Sequence, residues 1–183
     1  MIIDRQYVLK NRGQIIKAIT RGQIIIYPTD TIYGIGCNAF DKNSVNKIRE
    51  LKRRETKPFS VIVPGKIWVR DNCELNKDVE KYLKKLPGPY TLFLRLRSGV
   101  EIPAAVNPSE NGTIGIRIPK HWFKDLISEA GVPFVTTSVN ISGRPHMTNL
   151  HDLDESIKNN VDFIIYEGEI NGRESIKIDL TKL

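Results

Sequence analysis

The chain has 183 residues, of which 40% are hydrophobic and 27% are charged, a composition close to the globular average that excludes an intrinsically disordered chain. Its longest apolar runs are strand-sized and fall well short of the roughly 18 to 20 residues that a membrane-spanning helix needs, so an integral membrane protein is not expected. The formal net charge is +7, which is typical of proteins that meet phosphate, either on a polynucleotide or on a nucleotide.

The N-terminus and the cysteines bear on where the protein works. The first residues contain no basic segment followed by an apolar stretch and a cleavage site, so the sequence predicts no secretion signal and a cytoplasmic location. Cys37 and Cys73 lie in unlike contexts without a C-x-x-C pair. They predict neither a disulfide framework nor a zinc site, but two buried or half-buried thiols of a reducing compartment.

Short β-branched runs alternate along the chain with segments whose apolar residues recur at helical spacing. Gly22 follows the first such segment where a helix would stop, and Pro28 ends the first apolar run. In chain order the sequence predicts a helix over 12–21, a strand over 23–27, a helix over 42–54, a strand over 59–63, a helix over 78–86, strands over 90–96 and 113–118, a helix over 119–130, a strand over 133–137, a helix over 150–160, and strands over 163–166 and 176–180.

This alternation of helices and strands predicts an α/β layered fold. Hairpin-like neighbouring strands near the middle of the chain indicate that the sheet is mixed. The sequence contains no internal repeat, low-complexity tract or linker. A single domain over residues 1–183 is therefore expected.

Polar side chains crowd the turn after the first predicted strand. The segment PTDTIYGIG, residues 28–36, holds two hydroxyls, a carboxylate, an aromatic ring and two glycines. Open α/β sheets bind ligands at the carboxyl ends of their strands, so this turn is a candidate binding segment. The alternative is an ordinary polar turn in which Tyr33 belongs to the core and the glycines serve backbone geometry.

Several cations lie at the end of the predicted basic helix, in the segment KRRETKP over residues 52–58. Lysine binds phosphate as a point charge, and arginine binds it as a fork that also fits a carboxylate. Alternatively, these cations complement the helix dipole and face solvent. Lys52 and Arg54 are expected at a solvent-facing helix end, where their removal would leave the fold intact.

One arginine interrupts an apolar strand pattern. In TIGIRIP, residues 113–119, Thr113, Gly115 and Arg117 share one face of the strand. Arginine is rarely buried unpaired, so Arg117 either meets an internal carboxylate or points into a pocket that receives an anion. A hydroxyl-rich turn, TTSVNISG at 136–143, offers donors for a phosphate or an oxyanion, or it is a turn and helix N-cap cluster.

Other chemistries lack a matching pattern. The sequence has no Gly-x-Ser-x-Gly elbow, Walker loop or dinucleotide glycine fingerprint. The histidines show no spacing typical of metal ligands and are expected at the surface: His121, His146 and His151. The polar turns therefore favour the binding and positioning of a phosphorylated compound over covalent catalysis.

Together and in this order, these segments resemble the YrdC family, whose members include the threonylcarbamoyl-AMP synthases of tRNA modification. The resemblance spans residues 22–179 and rests on five motifs. They are PTDTIYGIGC at 28–37, the Lys-x-Arg at 52–54 with Lys57 and Pro58, PGPYTLFL at 87–94, TIGIRIP at 113–119, and the Ser-x-Asn within TSVNISGRP at 137–145.

The resemblance implies a twisted, open, mixed sheet flanked by helices around a basic concave groove. It also implies a reaction that joins L-threonine, bicarbonate and ATP, with Mg²⁺ on the triphosphate, into L-threonylcarbamoyladenylate and pyrophosphate. Partner proteins would then transfer the threonylcarbamoyl group to adenosine 37 of tRNAs that read codons beginning with A. Such a reaction needs no protein nucleophile, because clustered cations and hydroxyls can stabilise the charge that develops at the α-phosphorus.

Residue roles follow from the same resemblance. L-threonine would contact Thr31, Arg117 and Ser175, with Arg117 on its carboxylate. The nucleotide would contact Lys52, Arg54, Lys57, Thr113, Ser138 and Asn140. Lys52 and Arg54 would supply positioning and charge stabilisation.

The chain departs from the family pattern in three places. Ile62 stands where family members often carry histidine. The usual Ser-Thr pair near the end is Ser175-Ile176, followed by Lys177 in a strand that is normally apolar. The chain ends at Leu183 without the Arg-containing segment that often follows.

Two further functions remain open. A basic concave face could hold an RNA backbone, including double-stranded RNA, and charge-based RNA binding would weaken steeply with salt without needing Thr31, Arg117 or Ser138. The sequence lacks a recognisable RNA motif with stacking aromatics. A carbamoyl-transfer role like that of the related domain in hydrogenase maturation is the third hypothesis, although that domain belongs to much longer chains with zinc-finger-like segments.

Overall fold

The computed structural model describes residues 1–182, which form nine strands and seven helices. The strands are β1 (Ile2–Ile3), β2 (Ile25–Tyr27), β3 (Gly34–Gly36), β4 (Ser60–Ile62), β5 (Tyr90–Arg95), β6 (Thr113–Arg117), β7 (Phe134–Ser138), β8 (Phe163–Ile165) and β9 (Ile176–Asp179). The helices are α1 (Arg5–Lys10), α2 (Arg12–Thr20), α3 (Lys42–Lys52), α4 (Lys66–Asn72), α5 (Lys77–Leu83), α6 (Phe123–Ala130) and α7 (Glu155–Lys158).

The strands form one mixed sheet in the order β1-β8-β2-β3-β7-β4-β6-β5-β9. Hairpin partners β2/β3 and β5/β6 are antiparallel, whereas β4/β6, β2/β8 and β5/β9 are parallel. The predicted α/β fold with a mixed, open sheet is confirmed.

Helices cover the two faces of the sheet unequally. One face packs against α3, α4, α5 and α7 through a continuous apolar core. The other face packs against α1, α2 and α6, and here Tyr27 stacks on Phe123 with ring centroids 4.1 Å apart. Side chains alternate along a strand, so Ser60 shares this second face with Ile62, and Thr136 shares it with Phe134. Ile62 and Phe134 lie in the core, whereas Ser60 and Thr136 line a cavity.

The elements that the sequence did not predict are short. They are β1, α1, β3 and α4. In β3, Gly34 and Gly36 allow close approach of the neighbouring strands: a Cβ on Gly36 would lie 1.8 Å from the carbonyl oxygen of Val135. The last third of the supposed polar turn is thus a strand, paired with β2.

Two predicted helices are too long. The helix expected over 119–130 begins only at Phe123, because the backbone amide of Lys120 donates to the Asp30 carboxylate, 2.8 Å away, instead of entering a helix. The helix expected over 150–160 is reduced to Glu155–Lys158, where Asp154 caps the N-terminus by accepting from the Ser156 amide. The remaining elements agree with the predictions to within three residues at each end.

Both cysteines are buried free thiols, as predicted. Burial raises the pKa of Cys73 to about 12 and raises that of Cys37 further.

Across residues 1–182, every helix is too short or too polar to cross a lipid bilayer.

Gly13 offers a test of the helical assignment of α2. A Cβ at this position would meet no atom within 4 Å, and alanine is more favourable than glycine in a helix interior by about 0.8 to 1 kcal/mol. Gly13 is the second residue of α2 and lies in its first turn, so we expect Gly13→Ala to stabilise the protein by less than that amount, measured as the free energy of unfolding in urea. Gly36→Ala should instead be strongly destabilising, and equal effects of the two substitutions would contradict the fold described here.

Candidate functional site

A small cavity opens on the half of the second sheet face that helices leave uncovered. Its volume is about 130 Å³, well below the ~300 Å³ at which drug-sized ligand pockets begin. Hydroxyls and charged groups dominate its wall, which consists of Ile32, Tyr33, Gly34, Arg54, Ser60, Thr91, Arg117, Thr136, Thr137, Ser138, Glu174, Ser175 and Lys177.

Arg117 is the buried cation of this cavity. Its guanidinium donates from Nη2 to Thr31 Oγ1 at 3.0 Å and lies 3.5 Å from the Asp30 carboxylate. Within the described residues its buried Nε–H has no hydrogen-bond partner. Burial lowers its pKa, and the Asp30 carboxylate offsets this effect only in part. Because Arg117 lines the cavity, its planar guanidinium is suited to receive a carboxylate there.

Thr31 orients Arg117 from behind. The Thr29 hydroxyl donates to the Ile32 carbonyl at 2.7 Å and so accepts from the Thr31 hydroxyl, 2.9 Å away. Thr31 Oγ1 then accepts from Arg117, which leaves its hydroxyl proton directed at Thr29. Thr31 is only 4% exposed, so in this structure it contacts the cavity through Arg117.

Lys52 is buried at the end of α3, which corrects the expectation of a solvent-facing position. It is 1% exposed, and its ammonium donates to the Ser138 carbonyl, to the Asn140 carbonyl at 2.9 Å and to Asn140 Oδ1 at 2.8 Å. These three acceptors match its three N–H donors. Burial and the neighbouring Arg54 oppose the charge and lower the pKa of Lys52 to about 7. Lys52 thus fixes the turn after β7.

Arg54 and its loop are held by Arg49, a residue that sequence reasoning missed. The Arg49 guanidinium stacks on Phe59 and donates to five backbone carbonyls, those of Arg54, Glu55, Lys57, Ala105 and Val106. Arg54 also stacks on Phe59, donates to Thr137 Oγ1 at 3.3 Å and lines the cavity. Arginine at the third turn of an amphipathic helix carries no sequence signal that separates it from solvated neighbours.

A segment over residues 166–175 covers one side of the cavity. The Tyr33 hydroxyl donates to the Gly168 carbonyl at 2.7 Å and accepts from the Glu167 amide at 3.0 Å. Gly172 packs so closely on the Thr31 carbonyl that a Cβ would lie 1.5 Å from its oxygen. At the end of this segment the Ser175 and Thr91 hydroxyls are hydrogen-bonded at 2.6 Å.

A family model named for Sua5, YciO and YrdC, and described as telomere recombination, matches residues 17–182. The chain belongs to the Sua5/YciO/YrdC family. A Methanocaldococcus jannaschii relative, provisionally assigned as a threonylcarbamoyl-AMP synthase, is 37% identical over 84% of this chain and 72% of its own length. The Pyrococcus abyssi threonylcarbamoyl-AMP synthase is 34% identical over 90% of this chain but only 49% of its own length.

Solved structures of the family agree with the fold. The crystal structure of P. abyssi Sua5 complexed with L-threonine has a TM-score of 0.84 at 29% identity, over 98% of this chain and 54% of that one. Escherichia coli YciO has a TM-score of 0.82 at 24% identity and matches 99% of this chain and 89% of its own. An uncharacterised Haemophilus influenzae protein is 26% identical over 93% of this chain and 84% of its own. The chain thus spans about half of Sua5 and most of the shorter relatives.

The family motifs do not all meet at the cavity. Ser138 lies on its wall, and Asn140 lies behind it with Lys52. The Lys57 side chain is exposed. Thr113 lines a separate groove of about 650 Å³, where its hydroxyl donates to Asn111 Oδ1 at 2.7 Å.

Ile62 is fully buried, and His121 is half-buried. Ile62, which stands at the position where a family histidine is often found, is fully buried in the core with α6. His121 is half-buried rather than fully exposed: it lies 3.1 Å from the Glu167 carboxylate with a side chain 16% exposed, and burial lowers its pKa. Over residues 1–182, no group of three or more His, Cys, Asp or Glu side chains is arranged to hold a metal ion.

The hydrogen bonds that Lys52 donates to Ser138 and Asn140 predict an effect on stability. Lys52→Met would remove the ammonium from the Ser138 and Asn140 carbonyls, whereas Asn140 Oδ1 would keep the Ser138 hydroxyl as a donor. An unsatisfied buried polar group costs about 1 to 3 kcal/mol. We expect a loss of this size in the free energy of unfolding, measured with urea. Lys57→Met, on the same loop but with an exposed side chain, should change it by less than about 0.5 kcal/mol. Equal stability of the two variants would contradict the stabilising role of these Lys52 hydrogen bonds.

Proposed function

We propose that this chain is a threonylcarbamoyl-AMP synthase that converts L-threonine, bicarbonate and ATP into L-threonylcarbamoyladenylate and pyrophosphate. The observation that carries the proposal is Arg117, a buried guanidinium that lines a cavity of about 130 Å³. Such a site suits one small carboxylate-bearing molecule. The L-threonine complex of P. abyssi Sua5 supports threonine as that molecule.

On the amino-acid side, Arg117 would bind the α-carboxylate of L-threonine. Thr31 acts as a positioning residue, since its hydroxyl accepts from Arg117 and is itself fixed by Thr29. Ser175 and Thr91 supply hydroxyls beside Arg117 on the cavity wall, and one of the two keeps a free proton for the ligand because they share a single hydrogen bond.

On the nucleotide side, Arg54 and Ser138 would meet the phosphates. Both lie on the cavity wall, and Arg54 is held there by its contacts with Phe59 and Thr137. Below its pKa of about 7, Lys52 adds positive charge from behind the Ser138 turn. Lys57, Thr113 and Asn140 remain proposals for the outer part of the nucleotide site.

The reaction balances without a protein nucleophile. The threonine amine takes up bicarbonate and loses water to become a carbamate, and a carbamate oxygen then attacks the α-phosphorus while the bond to pyrophosphate breaks. Negative charge grows on the phosphoryl oxygens and on the leaving pyrophosphate. A fixed donor such as the Arg54 guanidinium would stabilise this charge without having to reorganise.

Mg²⁺ would arrive on the triphosphate. Mg²⁺ in nucleotide sites is held largely by substrate phosphates and water, and Glu174 is the carboxylate on the cavity wall. Transfer of the threonylcarbamoyl group to tRNA would fall to partner proteins.

Pyrophosphate release tests the proposal. The purified protein with ATP and Mg²⁺ should release pyrophosphate only when both L-threonine and bicarbonate are present. Arg117→Gln should raise the KM for L-threonine by at least about 30-fold, since loss of one partner of a buried charge pair costs roughly 2 kcal/mol or more. The control is Arg21→Gln, an exposed arginine that is not on the cavity wall.

Two outcomes would contradict the proposal. Release of pyrophosphate that does not depend on L-threonine would exclude the assigned reaction. RNA binding that weakens steeply with salt, in a protein that binds neither ATP nor L-threonine, would favour the RNA-binding module instead.

A further inference from the structure

Lys177 is a cation of the cavity wall that belongs to none of the five sequence motifs. It lies on the edge strand β9, and its side chain lines the cavity together with those of Arg117, Thr91 and Ser175. A lysine on an edge strand also discourages pairing with other chains. That role requires only exposure, whereas Lys177 additionally faces a polar cavity.

The register of the sheet puts Lys177 in line with Arg117. Thr91 on β5 pairs with Lys177 on β9. In the β5/β6 ladder Leu92 pairs with Ile116, so Thr91 lies opposite Arg117 one step further along. Residues opposite each other on neighbouring strands point to the same face. The two cations therefore flank Thr91, with Cα atoms roughly 10 Å apart, and their long side chains can both reach the space above it.

The cavity wall carries more positive than negative charge. Its cations are Arg54, Arg117 and Lys177, and its carboxylate is Glu174. Glu174 lies 3.5 Å from Lys177, but both side chains are more than half exposed, at 56% and 65%. Exposed ion pairs of this kind hold their partners weakly, so Lys177 is available to a ligand.

The first intermediate of the proposed reaction has a matching charge pattern. An N-carboxylated α-amino acid carries two carboxylates, one on Cα and one on the nitrogen, separated by three bonds. The zwitterionic amino acid before carboxylation carries only one. With Arg117 on the α-carboxylate, Lys177 is a second cation on the wall of the same cavity that could meet the other carboxylate.

We propose that Lys177 binds the carbamate carboxylate of the N-carboxylated amino acid and so acts as a specificity residue for bicarbonate. This assignment rests on the proposed function. It separates the two halves of the substrate: Arg117 governs the affinity for the amino acid, and Lys177 governs the gain in affinity that bicarbonate brings. An acidic amino acid such as aspartate carries two carboxylates at the same spacing. Its side-chain carboxylate is therefore the alternative ligand for Lys177.

Calorimetry and kinetics on three variants of the full chain test the assignment. For Lys177→Met we expect a KM for bicarbonate raised roughly tenfold, equivalent to about 1.4 kcal/mol, with the Kd of L-threonine in bicarbonate-free buffer changed less than twofold. Lys177→Arg should restore most of the bicarbonate affinity. The matched control is Lys158→Met, because Lys158 also pairs with a glutamate three residues earlier but lies on α7, away from the cavity wall.

The outcomes separate this assignment from the proposed function. If the wild type releases no pyrophosphate, the proposed function fails. Calorimetry then tests the role of Lys177 separately: the assignment stands if bicarbonate tightens L-threonine binding to the wild type but not to Lys177→Met. An unchanged bicarbonate dependence in Lys177→Met overturns it. Tighter binding of L-aspartate than of L-threonine, lost in Lys177→Met, also overturns it, because the second carboxylate would then belong to the amino-acid side chain.

Discussion

Buried positive charge on α3 organises the whole site. Arg49 and Lys52 lie three residues apart on this helix, and both are satisfied by backbone and amide oxygens rather than by carboxylates. Arg49 fixes the loop that carries Arg54, and Lys52 fixes the turn that carries Ser138. These hydrogen bonds fix the loops without placing a carboxylate beside the cations. The region therefore keeps the positive charge of Arg49, and Lys52 adds its charge as the pH falls below its pKa of about 7. An anionic ligand therefore meets donors that are already in place.

Sequence periodicity was sufficient for the elements that bury a stripe or a run of apolar residues. The helix α3 and the strand β6 are examples, since Val45 and Ile48 are spaced for a helix and Ile114 and Ile116 for a strand. It failed for β3, whose two glycines have no side chain to contribute to a pattern and are required by contacts with Tyr27 and Val135. It also failed at Lys120, whose amide is held by Asp30, a residue 90 positions away.

The sequence was a weaker guide to the site than to the fold. Arg117 stood out because it interrupts an apolar strand, and it does line the cavity. Lys52 was placed in solvent because a lysine at a helix end usually is, and its burial depends on a turn more than 80 residues later. The distance of Thr113 from the cavity follows from strand geometry, as Thr113 and Arg117 occupy opposite ends of the same strand.

The order of strands has a practical consequence for attaching labels. β1 and β9 are the two outer strands of a nine-stranded sheet, so they are separated by eight interstrand spacings, or roughly 38 Å before twist is considered. The amino group of Met1 lies at the β1 edge, near the Asp162 carbonyl at 3.3 Å. A fluorophore or affinity tag fused there stays clear of the cavity. One joined after β9 also emerges away from Lys177, because Thr181 lies beside Arg95, at the end of β5 opposite to Thr91.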